Sequence, residues 1–256
     1  TDTTAEGDGE YYFVVRAFDG SNESEDSNEV GPIVPVDSIP PEPPTSVAAV
    51  DVANDNGGSV RVSWKLSKDD AAGAGDVLRY EVRRYTDPAG QAVAAVGRVS
   101  KGETSFVDLG LVDGTPYYYA VFASDGVNAA GSEIIGPVTS TDDIAPAAPA
   151  GLAAEAVTGG QGTQIRLEWG RSPDDGGGTN DVRQYDIFRA RSATDFGSVL
   201  ASAPAGTTTY VDEDALPNIA YYYIVKAADA RNRSLPTAVA GPIQATDITP
   251  PATPTG

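Results

Sequence analysis

The chain has 256 residues and a formal net charge of −20, with 37 acidic side chains, 17 basic side chains, and neither cysteine nor histidine. The missing cysteine and histidine exclude disulfides, thiolate or histidine catalysis, and the usual zinc ligands. Nucleic acid and anionic lipid are poor partners, because binding phosphates requires a basic surface. No apolar stretch approaches the roughly 18 residues of a membrane span, so this segment is not expected to insert into a membrane.

The first predicted element is the run YYFVVRAF at residues 11–18, whose aromatic and β-branched residues are typical of a buried strand. Closely similar runs begin at Tyr117 and Tyr221. Gly-Pro pairs begin at residues 31, 136 and 241, a spacing of 105 residues. A spacing held by unrelated residues indicates a tandem array, and a period of this size is that of a small independent domain.

Within one period the pattern consists of short strands separated by turn-rich segments, without helical periodicity. Val60, Val62 and Trp64 alternate, so they share one face of a strand. Seven short strands in about 100 residues predict a two-sheet sandwich, and the fold class is therefore all-β. The predicted strands contain residues 46–52, 60–64, 80–82, 93–99, 106–107, 117–123 and 133–138.

The sequence resembles the fibronectin type III family. The resemblance rests on Trp64 and Trp169 in the second strand, on Leu111 six residues before Tyr117, on the Tyr-x-Tyr-x-Val-x-Ala strand, and on the proline-rich linkers. It implies tandem seven-stranded, immunoglobulin-like sandwiches, and it implies little about function, because this sandwich supports many unrelated roles. In the last repeat Leu216 lies one residue closer to its tyrosine, which predicts a tighter corner.

The repeat also predicts the domain organisation. Asp2 precedes Tyr11 by nine residues, as Asp108 precedes Tyr117, so the first strand corresponds to the sixth strand of a domain. We expect residues 1–36 to form only the last two strands of a domain and to pack on something absent from this sequence, because an isolated hairpin is marginally stable. The remaining expected parts are complete domains at 40–143 and 145–247, and a linker with the start of a further repeat at 248–256.

No residue pattern points to an active site or to an organic cofactor. The pairs Asp69-Asp70 and Asp174-Asp175 lie in Gly- and Ala-rich loops. Glycoside hydrolysis requires two carboxyl groups facing each other across a cleft, one of them with a raised pKa. Solvated loop acids are the favoured interpretation, and no enzymatic activity is predicted.

The aromatic residues of the repeated strand divide into two phases. Tyr117, Tyr119, Tyr221 and Tyr223 share the inward phase, and the corner tyrosine is expected to bond a backbone group. The outward phase contains Tyr12, Tyr118, Phe122 and Tyr222. Outward aromatic rings could stack on sugars or bury against a neighbouring subunit. Packing against arginine side chains such as Arg83 is the favoured alternative.

The acidic loops suggest one metal hypothesis. Alternating strands place two loops of each domain at the pole where the preceding linker arrives, and carboxylate and amide oxygens are the ligands that Ca²⁺ prefers. Ordinary turn acids are the competing interpretation, because Asp and Asn close tight turns through their own side chains. The candidates at one junction are Asp142, Asp143, Asp174, Asp175, Asp181, Asp229 and Asn232, and at the other Asp37, Asp69, Asp70, Asp76, Asp125 and Asn128.

These observations favour a non-catalytic, structural function. We expect an extracellular or surface protein in which the repeats form a stalk, an adhesin or a fibre or filament shaft, with proline-rich linkers that limit bending. The expected partners are neighbouring domains of the same longer chain, with self-assembly as a further possibility. The alternative is a set of accessory spacer or carbohydrate-binding modules of a secreted enzyme that degrades polysaccharide.

Overall fold

The computed structural model describes residues 9–91, 93–157 and 163–246. Contacts divide the chain into unit 1, Thr1–Asp51 with Ser59–Ser140, and unit 2, Val52–Gly58 with Thr141–Gly256. Within the described ranges, no helix is long and apolar enough to cross a membrane. The expected linker at 248–256 lies outside them.

Unit 1 begins with a two-stranded hairpin and continues into a sandwich. The hairpin consists of β1 (Tyr11–Phe13) and β2 (Val30–Ile33). The sandwich strands follow as β3 (Thr45–Asp51), β4 (Ser59–Lys65), β5 (Arg79–Tyr85), β6 (Val93–Ser100), β7 (Ser105–Leu109), β8 (Tyr117–Ser124), β9 (Ala129–Gly131) and β10 (Ile135–Val138). One sheet has the order β3-β4-β7 and the other β10-β8-β5-β6, with β9 also paired to β8. All of these pairings are antiparallel.

The two sheets of this sandwich are held together by their alternating apolar faces. Val60, Val62 and Trp64 of β4 are buried, as the alternation predicted. They meet the buried Tyr80 of β5 and Tyr119 of β8, and the Trp64 and Tyr80 ring centroids are 5.7 Å apart. Each fully buried apolar side chain of this kind contributes about 1.5–3 kcal/mol relative to exposure in water.

Unit 2 repeats this sandwich with one strand fewer among the described residues. Its strands are β11 (Ala150–Ala156), β12 (Ile165–Gly170), β13 (Gln184–Ala190), β14 (Val199–Pro204), β15 (Thr209–Asp212), β16 (Ala220–Ala228) and β17 (Ala240–Gln244). The sheet orders are β11-β12-β15 and β14-β13-β16-β17. Trp169 and Tyr185 again form the central ring pair, with centroids 5.8 Å apart. The all-β sandwich predicted from the sequence is therefore confirmed.

The predicted tighter corner in the last repeat is wrong. Tyr221 Oη accepts a hydrogen bond from Leu216 N–H at 3.3 Å, and Tyr117 Oη accepts one from Val112 N–H at 3.2 Å, so both corners have the same five-residue span. The core residue six positions before the tyrosine is Ala215, which is fully buried, whereas Leu216 is 53% exposed. Alanine thus replaces Leu111 in this core, and the spacing does not change.

The repeated Gly-Pro pair is explained by a close approach of two backbones. A Cβ atom on Gly136 would lie 2.8 Å from the carbonyl oxygen of Tyr117, and one on Gly241 would lie 2.5 Å from that of Tyr221. Both glycines also have φ values in the left-handed region, at 134° and 125°. Only glycine therefore fits where the last strand meets the tyrosine-rich strand.

Candidate functional site

The acidic loops of each unit hold the proline-rich segment that leads into the sandwich. Asp69 Oδ2 accepts a hydrogen bond from Glu42 N–H at 2.8 Å, and its Oδ1 accepts one from Ala74 N–H at 3.0 Å. These donors hold the pKa of Asp69 below its ordinary value. In unit 2, Asp174 Oδ2 accepts from Ala147 N–H, also at 2.8 Å. The loop carboxylate thus fixes the loop and the linker together.

A second contact fixes the same linkers further upstream. Asn128 Nδ2 donates to the carbonyl oxygen of Asp37 at 3.3 Å, and Asn232 Nδ2 donates to that of Asp142 at 3.1 Å. Each asparagine is positioned by the aspartate three residues before it: Asp125 Oδ1 accepts the Asn128 N–H at 2.6 Å. Burial alone would raise the pKa of Asp125, but its N–H donors bring that pKa below the ordinary value.

We call these two contacts together the linker anchor of each unit. The first linker anchor consists of Asp37, Glu42, Asp69 and Asn128, and the second of Asp142, Ala147, Asp174 and Asn232. The repeated pairs Asp125/Asn128 and Asp229/Asn232, three residues apart, therefore do more than close their own turns, because the asparagine side chain also reaches the linker.

The second acid of each predicted pair serves the core instead. Asp70 Oδ2 accepts hydrogen bonds from the Tyr80 hydroxyl at 2.8 Å and from Gly102 N–H at 2.9 Å. Asp175 Oδ2 accepts from Tyr185 Oη and from Gly206 N–H, both at 2.7 Å. Burial, with the hydrogen bond to Asp175, raises the pKa of Tyr185 to about 12. The two adjacent aspartates thus bind different groups: the first binds the linker backbone, and the second binds the buried tyrosine of the core.

A further pair of buried acids was not predicted to have a role. Asp108 Oδ2 accepts hydrogen bonds from Arg84 Nη1 at 3.0 Å and from the Tyr119 hydroxyl at 2.9 Å. In unit 2, Asp212 Oδ2 accepts the equivalent hydrogen bonds, from Arg189 Nη1 at 2.8 Å and from the Tyr223 hydroxyl at 2.7 Å. The sequence contains a signal for this network, because Asp108 lies nine residues before Tyr117. That spacing, however, indicates only how the repeats align.

The structure brings together some of the calcium candidates and separates others. Asp142 meets Asn232, but Asp143 contacts the loop Val52–Gly58: its N–H donates to Asp55 O at 3.0 Å. Among the described residues, no group of three or more acidic side chains is placed to hold a metal ion. The calcium hypothesis stays a prediction, which calorimetric titration of Ca²⁺ into chelator-treated protein tests.

One of the outward aromatic rings, that of Phe122, is covered by a cationic side chain. The Arg83 guanidinium carbon lies 3.8 Å from the centroid of the Phe122 ring, as expected for the packing alternative. In unit 2, Lys226 Nζ lies 5.5 Å from the centroid of Phe188. A sugar stacking on the Phe122 ring would have to displace this arginine.

Three surface clefts of unit 1 offer no pair of carboxyl groups suited to glycoside hydrolysis. Clefts of about 450 and 210 Å³ are each lined by a single carboxylate, Glu133 and Glu81 respectively. A cleft of about 330 Å³ contains Asp19 and Glu23. Turn N–H groups lower the pKa of Asp19, whereas a general acid requires a raised one, and Glu23 pairs with Arg16.

Comparison with known proteins finds similarity both in sequence and in structure. No known protein-family profile matches the chain. Exoglucanase B of Cellulomonas fimi is 32% identical over 239 residues, which are 90% of this chain and 19% of that protein. The chain thus spans about a fifth of the length of this relative.

Two solved structures are similar to parts of the chain. A two-domain fibronectin type III segment of chicken tenascin has 16% identity and a TM-score of 0.42, covering 75% of this chain and 95% of that one. A Fn3-like protein from Clostridium thermocellum has 26% identity and a TM-score of 0.32, covering 38% and 91%. With scores this low, the fold assignment rests on the strand order of the chain itself.

That strand order is specific. In each sandwich the first, second and fifth strands form one sheet, and the third, fourth, sixth and last strands form the other. The fourth strand therefore pairs with the third, the second strand contributes a buried tryptophan, and a corner tyrosine bonds the backbone before the sixth strand. Both complete sandwiches of this chain have the fibronectin type III fold predicted from the sequence.

Proposed function

We propose that the chain is a non-catalytic spacer within a longer, extracellular protein that degrades polysaccharide. The observation that carries this proposal is the linker anchor, because the same hydrogen bonds hold the linker in both units. A spacer requires a fixed connection more than it requires a cleft. The relative named Exoglucanase B supports the enzyme context, since a long glucan-degrading protein has use for a spacer of this kind.

The energetics fit a semi-rigid connection. Each anchor hydrogen bond is exposed or partly exposed, so water competes for its donor and acceptor and a single bond holds the linker only weakly. Proline residues in the segments 40–44 and 146–149 limit the backbone further. Two such bonds and the prolines together favour one linker conformation without locking it.

A second candidate is the shaft of a stalk, an adhesin or a filament. Tandem repetition of the same sandwich, each with its own core, supports this candidate as well. The full reading frame distinguishes the two, because a catalytic domain in the same polypeptide belongs to the enzyme context and not to a shaft.

The linker anchor can be tested by removing its acceptors. In the Asp69→Ala and Asp174→Ala variants, the amides of Glu42 and Ala147 lose their acceptors, so we expect their hydrogen exchange to accelerate about 5- to 10-fold. Small-angle scattering of the double variant should show a broader distribution of dimensions. Asp19→Ala, which removes an acceptor for turn N–H groups outside the anchors, is the matched control.

Unchanged exchange and unchanged scattering in the double variant would contradict an anchoring role. Binding to polysaccharide is a separate measurement. In sedimentation with insoluble glucan, a pure spacer stays in the supernatant. Retention in the pellet would instead favour carbohydrate-binding modules, and Arg83→Ala, which uncovers the Phe122 ring, should then change the retained fraction.

A further inference from the structure

The outward face of β5 carries a local excess of positive charge in a strongly acidic chain. Arg79, Glu81 and Arg83 alternate with buried residues of the core, so all three side chains lie on the outer face of the sheet. Arg98 of β6 is the register partner of Glu81, on the same face. Three arginines and one carboxylate therefore share this face, although the whole chain has a net charge of −20.

Glu81 holds two of these arginines through the same guanidinium nitrogen. Its Oε1 accepts a hydrogen bond from Arg83 Nε at 2.6 Å, and its Oε2 accepts one from Arg98 Nε at 3.0 Å. The bond from Arg83 in particular keeps the pKa of Glu81 below its ordinary value, so this carboxylate is charged. Because both bonds use Nε, neither arginine has an Nη atom engaged with another described residue. Those Nη groups are available to a ligand.

Arg83 is also ordered by the aromatic ring beneath it. Its guanidinium carbon lies 3.8 Å from the centroid of Phe122, and Glu81 fixes its Nε from the side. The Arg83 side chain is nevertheless 35% exposed, so part of the guanidinium reaches solvent. A ligand that binds an arginine held in this way loses less side-chain entropy than one that must order a mobile side chain.

Arg79 lines the same cleft as Arg83, and its charge is not balanced there. The cleft has a volume of about 210 Å³, and its lining includes Arg79, Glu81, Arg83, Phe122 and Val127; we call it the arginine cleft. In the described part of the chain, no acidic group pairs with Arg79, since both oxygens of Glu81 are bonded to other arginines. An unpaired cation therefore lies beside the ordered one.

The sandwich itself does not require these arginines. In unit 2, Gln184 has the register position of Arg79, and Ser202 has that of Arg98. Both replacements are neutral, yet the strand order of the two sandwiches is the same apart from the short β9. The arginine cleft is thus a feature of the surface of unit 1 and not a condition of its fold.

We propose that the arginine cleft binds the carboxylate of a single uronic acid residue carried by an otherwise neutral polysaccharide. Guanidinium groups match the planar carboxylate with paired N–H···O bonds, and Arg79 and Arg83 together provide more than one such group. A ligand with many negative charges is disfavoured, because the rest of the chain repels it.

The size and lining of the cleft fit one sugar ring. It is smaller than the roughly 300–1,000 Å³ of typical ligand pockets, and apolar Phe122 and Val127 accompany its polar residues. A sugar ring likewise combines apolar C–H groups with polar hydroxyls. The arginines select the carboxylate, whereas the sugar follows from the proposed function. Binding of this kind adds to the spacer function and does not replace it.

The test is a chemical-shift titration of the full chain by NMR, with methyl glucuronide as the probe. We expect saturable shifts at the amides of β5 around Arg79 and Arg83, with a Kd on the order of 1 mM that weakens in salt. Arg79→Gln, which introduces the residue found in unit 2, should weaken binding at least about 10-fold, because it removes charge-assisted hydrogen bonds. Its melting temperature should not change, since Arg79 has no acidic partner to lose.

The matched control variant is Arg61→Gln. Arg61 is exposed on β4 in the other sheet, so this change removes the same charge away from the cleft and should leave the Kd unchanged. Methyl glucoside, which lacks only the carboxylate, should not bind. Acetate, which lacks the sugar, should bind more weakly than methyl glucuronide.

Four results would overturn the proposal. The first is the absence of saturable shifts with methyl glucuronide, and the second is equal binding of methyl glucoside. The third is binding of acetate or of an oligoglutamate peptide as tight as that of methyl glucuronide, which would assign the arginines to another carboxylate. The fourth is an Arg61→Gln effect as large as that of Arg79→Gln. None of these results affects the linker anchor, which is measured by hydrogen exchange and scattering.

Discussion

At the scale of single residues, the repeat preserves buried polar networks as strictly as it preserves the core. Asp108 and Asp212 are buried, and each receives a tyrosine hydroxyl and an arginine. Such ionised groups are tolerated inside a sandwich only because their hydrogen-bonding capacity is satisfied. The arginine also lies beside the corner tyrosine, with Arg189 Cζ 4.9 Å from the Tyr221 ring centroid.

Removing one hydroxyl from this network should be measurable. Tyr119→Phe and Tyr223→Phe leave the aromatic ring in place and deprive the buried aspartate of one donor. We expect each variant to lower the free energy of unfolding by about 1–3 kcal/mol, measured by denaturant titration. The exposed Tyr12→Phe should change it by less than about 0.5 kcal/mol. Equal, negligible effects at all three positions would show that the network does not stabilise the fold.

Asp186 gives the protein a specific response to acid. Its carboxylate is buried, and burial alone would raise its pKa, but Ser202 Oγ–H and Arg233 Nε donate to it at 2.6 Å each and bring the pKa below its ordinary value. The unfolded chain therefore binds this proton more readily than the native state does. Stability from Asp186 is fully present above the unfolded pKa of about 4 and is lost as pH falls below it.

This sign predicts an acid-sensitive melting curve for unit 2. The melting temperature should change little between pH 7 and pH 5 on account of Asp186 and should fall between pH 4 and pH 2. The Asp186→Asn variant should be less stable at pH 7 and should show a shallower fall in acid, since asparagine does not titrate. Parallel curves for the variant and the parent protein would contradict this assignment.

At the scale of elements, the sequence predicted the strands of the two sandwiches well and the loops poorly, for a physical reason. The run at 11–18, predicted as a buried strand, is a strand only over Tyr11–Phe13 and is largely exposed. Alternation with a period of two reports which residues of β4 and β8 face the core, so those strands and their inward residues were found. Contacts made by loop side chains depend on backbone positions far away in sequence, as between Asn128 and Asp37. No local pattern contains that information. The short β9 also carries too few residues to show a period.

The packing of one sheet on the other depends on a glycine in β6. A Cβ atom on Gly97 would lie 2.3 Å from the ring of Phe106, which packs against the core of unit 1. Gly97→Ala should therefore lower the free energy of unfolding of unit 1 by about 1–3 kcal/mol. Phe106→Leu in the same chain should recover part of the loss by making room.

The control for this change is Gly197→Ala, because a Cβ atom there meets nothing within 4 Å. It should leave the melting of unit 2 unchanged or slightly raise it. Differential scanning calorimetry measures both effects. If Gly97→Ala were as harmless as Gly197→Ala, the Phe106 ring would have a second position available in the core.

At the scale of the whole molecule, repetition extends to polar contacts as well as to the core. The linker anchor, the buried aspartate network and the corner tyrosine occur in both units with closely similar distances. Composition alone predicts that the chain lacks a phosphate-binding surface and uses no thiol or histidine chemistry. Such predictions need only the counts of each residue type and no knowledge of the fold.

The two sandwiches should unfold as separate thermodynamic units, because each has its own core cluster centred on one tryptophan. Trp64→Ala leaves a cavity against Tyr80, and Trp169→Ala leaves one against Tyr185. Either change should cost about 3–5 kcal/mol of unfolding free energy. A small domain has only about 5–15 kcal/mol in total, so the affected transition should shift by well over 10 °C. In calorimetry, Trp64→Ala should lower one transition and leave the other in place, and Trp169→Ala should do the reverse. Two transitions that fall together in either variant would mean that the cores are coupled and that the repeats do not fold independently.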